Sequence, residues 1–235
     1  MVVLKLDELA VNKRRSKPYS EYFGEMRISK ARANRRKRVA EDIEDAMLTY
    51  METLLAAEQY GMLETLAGSI SDEYKQRYIE AARNHAIADA YILAHADDYV
   101  DGVRENTTDA IKRLSRAEQT PSAGSDDDEI AAYLLSLRWY LSEDRAILNG
   151  EDQANYILDH TELVEALEDG YTKKGWLSMR DRRVRDTHRE VDGTVLPIEE
   201  PFEVGGYLMM TPKDDSMGAP DEEIANCRCS LEFYR

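Results

Sequence analysis

Cysteine, phenylalanine and proline are scarce in this chain of 235 residues, at 2, 3 and 6 copies. The two cysteines, Cys227 and Cys229, flank Arg228. Neighbours two apart do not reach relaxed disulfide geometry, so a disulfide scaffold is excluded and a reducing compartment is expected. Long apolar runs are missing as well: none approaches the roughly 18–20 residues of a membrane span. The opening MVVLKLDELAVNKRR turns acidic straight after a short apolar patch, without the central apolar stretch of a secretory leader. A soluble intracellular protein with no membrane partner is the expectation. Positive charge is outnumbered, 31 Lys and Arg against 47 Asp and Glu, for a net −16. What is present is 43% hydrophobic, enough for a packed core in one large domain or two small ones.

The charge is uneven. Residues 1–38 hold 12 basic and 4 acidic residues, leaving 19 basic and 43 acidic in the remainder. Two clusters stand out, Lys13-Arg14-Arg15 and Arg35-Arg36-Lys37-Arg38. Such a segment suits packaged DNA or an acidic protein face, or else a helix face that complements the acidic body of its own chain. That acidic body argues against DNA lying along most of the protein.

From Val39 the pattern is helical. Val39, Ile43, Met47, Tyr50 and Leu54 recur every three or four residues on one face. Gly61 and then Gly68-Ser69 are expected to interrupt it. A second stripe follows through Tyr74, Tyr78, Ala81, His85, Ala88, Ile92, His95 and Tyr99, with Gly102 as its expected end. The two histidines in it are expected to be packed residues rather than ligands. Asn106, Thr107 and Thr108 are candidate caps of a shorter helix. The stretch QTPSAGSDDD, residues 119–128, has the composition of a linker. Helices are expected over 129–148, with Ile130, Tyr133, Leu134, Leu137 and Leu141 on one side, and over 151–170, where Gly170 suits a left-handed terminal position.

After Gly170 the texture changes. Residues 171–179 read as a strand. Asp181 is placed to cap a short helix ending at Gly193, which would put Asp181, Arg185 and His188 on one face. Four of the six prolines fall between 197 and 220, so a loop-rich stretch is expected before a last strand over 226–234. The fold class is therefore a mainly α N-terminal part of amphipathic helices followed by a small, loop-rich α+β module. Its divisions are a basic segment over 1–38, a helical domain over 39–170 with the linker near 119–128, and the module over 171–235.

The C-terminal run is the specific part. Trp176 is followed by Asp181, Val184, Arg185 and His188, then by Asp192-Gly193, by Phe202, and by the closing Asn226-Cys227-Arg228-Cys229. In this order and spacing they resemble the phage Mu protein F-like head-morphogenesis family, the minor capsid proteins of tailed phages. That family's helix before the Trp often carries Arg-Thr-Glu; here Asn149-Gly150-Glu151 stands at a comparable place. The resemblance implies a low-copy, non-enzymatic component of the capsid interior, made in the host cytoplasm. It would act near the portal in assembly or DNA delivery, with the portal or the major capsid protein as partner. Arg35, Arg36, Lys37 and Arg38 are the candidate contacts to packaged DNA.

Three chemistries fit His188, Cys227 and Cys229. One His and two Cys are soft ligands suited to zinc, with Asp192 better placed than Asp181 as a fourth. A zinc deaminase would need Pro-Cys-x-x-Cys opening a helix, which is absent. The third is packing, with His188 hydrogen-bonding the strand and the thiols acting as small hydrophobes. No cofactor is required and no catalytic residue is assigned; zinc is the metal this set would accept. The alternative function is a metal-dependent hydrolase or nuclease-like effector carried in the phage head and centred on Asp181, His188 and the thiols. Either way the His and the two thiols are expected to converge, because a short polar stretch closes only if its two ends meet.

Overall fold

The computed structural model describes residues 18–119 and 127–235, in which eight helices and five strands form. The expected linker falls largely on residues 120–126 and, like Lys13, Arg14 and Arg15, lies outside the described residues. The expected architecture is what forms: long helices first, then a small antiparallel α+β region. Contacts divide the chain into two compact units. Among the described residues, one takes in Glu41–Asn84 and most of Ala88–Asn149; the other takes in residues 18–40, His85–Ile87 and Gly150–Arg235. The α+β unit thus takes in helical segments on the N-terminal side of residue 171 and part of the basic segment.

The first unit is built from α2 (Lys30–Gln59, from Glu41 on), α3 (Leu63–His85), α4 (Ala90–Gln119), α5 (Asp127–Trp139) and the start of α6 (Glu143–Glu168). The stripe read from α2 is the buried one: Ile43, Met47, Tyr50 and Leu54 are almost wholly enclosed. Tyr50 stacks on Tyr74 at 4.9 Å between ring centres, and the Tyr74 hydroxyl meets that of Tyr99 at 2.9 Å. Gly61, at φ +68°, follows the end of α2 and interrupts the helical run as expected.

Several expected boundaries move. Gly68-Ser69 lies inside α3, and Gly102 lies inside α4. Asn106, Thr107 and Thr108 are not caps; each side chain bonds back to the carbonyl four residues earlier, at 2.9, 2.6 and 2.8 Å. Those bonds satisfy the polar side chains without ending the helix. The stripe from Tyr74 to Tyr99 is broken over residues 86–89, because Asp89 Oδ1 accepts the backbone N–H groups of Tyr91 and Ile92 and starts α4. The helix expected over 129–148 is likewise two, separated at residues 140–142, where Ser142 Oγ accepts the Arg145 N–H at 3.3 Å.

The second unit contains α1 (Tyr19–Gly24), the start of α2, α6 from Gly150, and all five strands. Gly170 adopts φ +74° as anticipated. Tyr171 N–H reaches the Ala166 carbonyl and Gly170 N–H the Leu167 carbonyl, closing α6 in a Schellman turn. The chain enters β1 (Lys173–Leu177) directly from it. β1 is the centre of an antiparallel sheet of order β2-β1-β5, with β2 at Val195–Pro197 and β5 at Ser230–Tyr234. The stretch expected to be loop also folds a hairpin, β3 (Phe202–Val204) with β4 (Tyr207–Met209), turned by Gly205-Gly206 at φ +59° and +86°. Trp176, Phe202, Val204, Met209 and Leu231 are buried together with both cysteines.

At Gly150, α6 approaches the backbone of α2 closely within this unit. A Cβ built there would lie 2.6 Å from the Ala40 carbonyl oxygen and 2.7 Å from the Tyr19 hydroxyl. Backbone cannot yield as a flexible side chain does. Gly150→Ala is therefore expected to destabilise the protein by about 1–3 kcal/mol in urea unfolding. An unchanged midpoint would show that this approach is looser than the geometry states.

Candidate functional site

Trp176 on β1, α7 (Asp186–Val191) and the segment before β5 bring the motif residues together. His188 is 1% exposed, and its Nδ1 lies 3.4 Å from both Cys227 Sγ and Cys229 Sγ. The three donor atoms all fall within 4.8 Å of one another. On the other side of the ring, Nε2 meets Glu223 Oε2 at 3.1 Å, and the same oxygen accepts the Thr187 hydroxyl at 2.8 Å. Glu223 sits on α8 (Asp221–Ile224). The indole of Trp176 abuts the imidazole edge-on at 5.5 Å and Phe202 at 5.3 Å, fixing the ring from behind. The expected convergence is present.

The electrostatics follow from the contacts. Cys227 is held well below the ordinary thiol range by the hydrogen bond from Cys229 and, against its burial, by His188. Cys229, the donor in that pair, is pushed well above it, with burial adding to the effect. Burial works against the charged imidazole, but the bond to Cys227 prevails and raises His188.

A small pocket of about 20 Å³, open to solvent, reaches these atoms, and Met179, Arg183, Val184, Arg185, Asn226 and Arg228 also line it. The loop carrying the thiols is held from α6. Asp152 Oδ1 accepts the Asn226 N–H at 2.8 Å and pairs with Lys213, whose ammonium also donates to the Ile224 carbonyl at 2.9 Å. Asn226 turns the chain at φ +55°.

Other motif residues serve this frame differently from expectation. Asp181 does not cap a helix shared with Arg185 and His188: residues 181–184 form a turn, and α7 begins only at Asp186. Asp181 Oδ1 accepts the Arg183 N–H, and both carboxylate oxygens pair with Arg228 at 2.9 and 2.8 Å. Arg185 precedes α7 and donates to the Ala225 carbonyl at 2.5 Å. Asp192 is committed elsewhere, to Ser178 N–H at 2.7 Å, Arg27 at 2.9 Å and Arg180 at 2.6 Å, so neither Asp joins the His and thiols. Gly193, at φ +83°, donates to the Trp176 carbonyl. Both cysteines precede β5 rather than lying in it. His85 and His95 are half-buried and outside the cluster. The sequence reading missed Glu223, Asp152 and Lys213. Glu223 stands in an acidic triplet whose only local signal is the start of a helix.

The basic cluster is corrected most. Arg36 has no exposed surface, so it is not available to a phosphate. It donates to Asn155 at 3.1 Å, to Asp159 at 2.6 Å and to Glu162 at 2.6 and 2.9 Å. Arg32 adds a bond to Glu162, and Arg35 forms a forked pair with Glu165 at 2.8 Å. Lys37 is half-buried and Arg38 exposed. The segment complements the acidic residues of α6, because desolvated guanidinium groups need carboxylate acceptors.

Two carboxylates share Arg36. Burial, only partly offset by Arg36 and reinforced by the charge of Glu162, pushes Asp159 up to about 7. Glu162, despite its own burial, is lowered to about 2 by Arg36 and Arg32. A carboxylate depressed in the folded state stabilises fully above its unfolded value, and that contribution is lost as pH falls through the folded value. Acid unfolding should therefore draw on Glu162 between about pH 4.5 and 2, and Glu162→Gln should flatten the stability–pH curve in that window. Arg36→Ala, which strands Asp159 and leaves Glu162 with Arg32 alone, should cost about 3–5 kcal/mol at pH 7 in denaturant titration. A loss within measurement error would overturn this account of the network.

Among known proteins, the family model described as Phage Mu protein F like protein matches residues 101–232. An NAD(+)–arginine ADP-ribosyltransferase of Enterococcus faecalis is 37% identical over 58 residues, which cover 25% of this chain and 11% of that protein. The aligned part of the chain therefore spans about a tenth of that relative's length. No solved structure matches the chain. No helix among the described residues is long and apolar enough to cross a membrane.

Proposed function

Because this chain belongs to the phage Mu protein F-like family, which is tied to phage head morphogenesis, we propose that it is a minor component of the phage head. In this reading it is non-enzymatic, sits inside the capsid near the portal, and acts in assembly or DNA delivery. The match over residues 101–232 is the observation that carries the reading. Two features of the module support it. Asp181, Asp192 and Arg228 are tied into ion pairs that hold the frame, and His188 is enclosed by Trp176, Glu223 and the thiols. Such an arrangement suits a rigid recognition module.

Its partners in this reading are the portal or major capsid protein. Packaged DNA could be touched through Arg38 and through Lys13, Arg14 and Arg15, but Arg36 takes no part. A second reading, a module borne by a larger effector, is favoured by the stretch shared with the ADP-ribosyltransferase. Asp181 is paired with Arg228 and stands outside the group of His188 and the thiols, so it is not placed to act with the imidazole.

In particles of a phage that encodes this chain, mass spectrometry should detect it well below the copy number of the major capsid protein. Cross-linking should join it to the portal. Full, infectious particles that lack the chain would overturn the reading; recovery of the chain only as part of a secreted longer protein would favour the second.

A further inference from the structure

The donor set at His188 is arranged as a metal would require. In a tetrahedral zinc site, Zn–S near 2.3 Å and Zn–N near 2.0–2.1 Å place neighbouring donors roughly 3.5–3.8 Å apart. The two Nδ1–Sγ distances here are 3.4 Å, within a few tenths of that spacing. The second nitrogen is also set for ligation. Nε2 faces the Glu223 carboxylate at 3.1 Å while Nδ1 faces both sulfurs, so a neutral imidazole with its proton on Nε2 would turn the Nδ1 lone pair to the ion, the carboxylate–histidine pairing found behind metal-bound imidazoles. Gly205 leaves room for that carboxylate, since a Cβ there would come within 2.5 Å of Glu223 Oε1. The Thr187 hydroxyl fixes its other face.

The set stops at three. Among the described residues no further His, Cys, Asp or Glu joins the group, because Asp181 and Asp192 are engaged by arginines. Structural zinc sites close with four protein ligands, whereas sites with three leave a position for an outside ligand. Here that side is the solvent-open pocket lined by Arg183, Arg185 and Arg228. Guanidinium groups around such a mouth favour an anion.

We propose that His188, Cys227 and Cys229 hold one zinc ion whose fourth position opens into the arginine-lined pocket and accepts a small anion. The ion ties α7 to the segment before β5 and locks the module. The inference is independent of where in the phage the protein works.

The test uses the full untagged chain. After dialysis into metal-free buffer, elemental analysis should find about one zinc per chain, and Cys227→Ser, Cys229→Ser and His188→Asn should each reduce this at least about tenfold, since loss even of an outer-shell partner weakens sites by about 10–100-fold. Arg38→Ala should retain it. Because the ligand variants could fail to fold, the wild-type chain is also loaded with cobalt. Thiolate-to-cobalt charge transfer and intense tetrahedral d–d bands are then expected. Azide should shift the d–d bands, and Arg183→Ala should weaken azide several-fold without metal loss. Zinc at background levels together with no cobalt charge transfer would overturn the site. A cobalt spectrum indifferent to azide would overturn its open position.

Discussion

A guanidinium with no access to water dictates what surrounds it, and Arg36 does so for the whole α+β unit. Its donors reach three residues on successive turns of α6: Asn155, Asp159 and Glu162. This fixes the first part of α2 against that helix with little freedom of register. Gly150 continues the same approach, because only a residue without a Cβ lets the Ala40 carbonyl and Tyr19 hydroxyl come so near. With α6 fixed, its Schellman end at Gly170 aims the chain into β1, and β1 is the strand on which both neighbours of the sheet are hung.

The site is a consequence of that order. Trp176 comes from β1, and its indole backs His188. Asp152, two residues after the entry of α6 into this unit, takes the Asn226 N–H and the Lys213 ammonium, which sets the segment carrying both thiols. Ion pairs from Asp181 and Asp192 then close the turns on either side of α7. Most of the charged motif residues therefore build a frame, while His188, Glu223 and the two cysteines carry the chemistry at its centre.

The proposed role in the phage head would draw on this distribution. A part that must present one surface to a large assembly gains from a small module whose shape is over-determined, and a module with five short strands has little core with which to achieve that. Buried ion pairs, a hairpin turned by two glycines and a soft-donor cluster supply the specificity that apolar area alone does not.

What the sequence determined by itself was local and periodic. The buried stripe of α2, the left-handed Gly170 and the strand at Trp176 follow from spacing and from backbone preference, which act within a few residues. The gathering of His188 with two thiols was also legible, because a short polar stretch has few ways to close. What only tertiary structure decided depends on partners far away along the chain. Gly102 and Thr107 look like a helix end, yet α4 continues because Val103, Ala110 and Ile111 are buried in its unit's core. Asp89 and Ser142 break helices whose apolar pattern runs on without interruption, since a cap outweighs periodicity where the chain turns. Arg36 reads as one more charge in a basic run; that it is enclosed was settled by carboxylates more than 120 residues later, on a helix whose own pattern gives no sign of them. Charge in a sequence has sign but no address, and burial assigns the address.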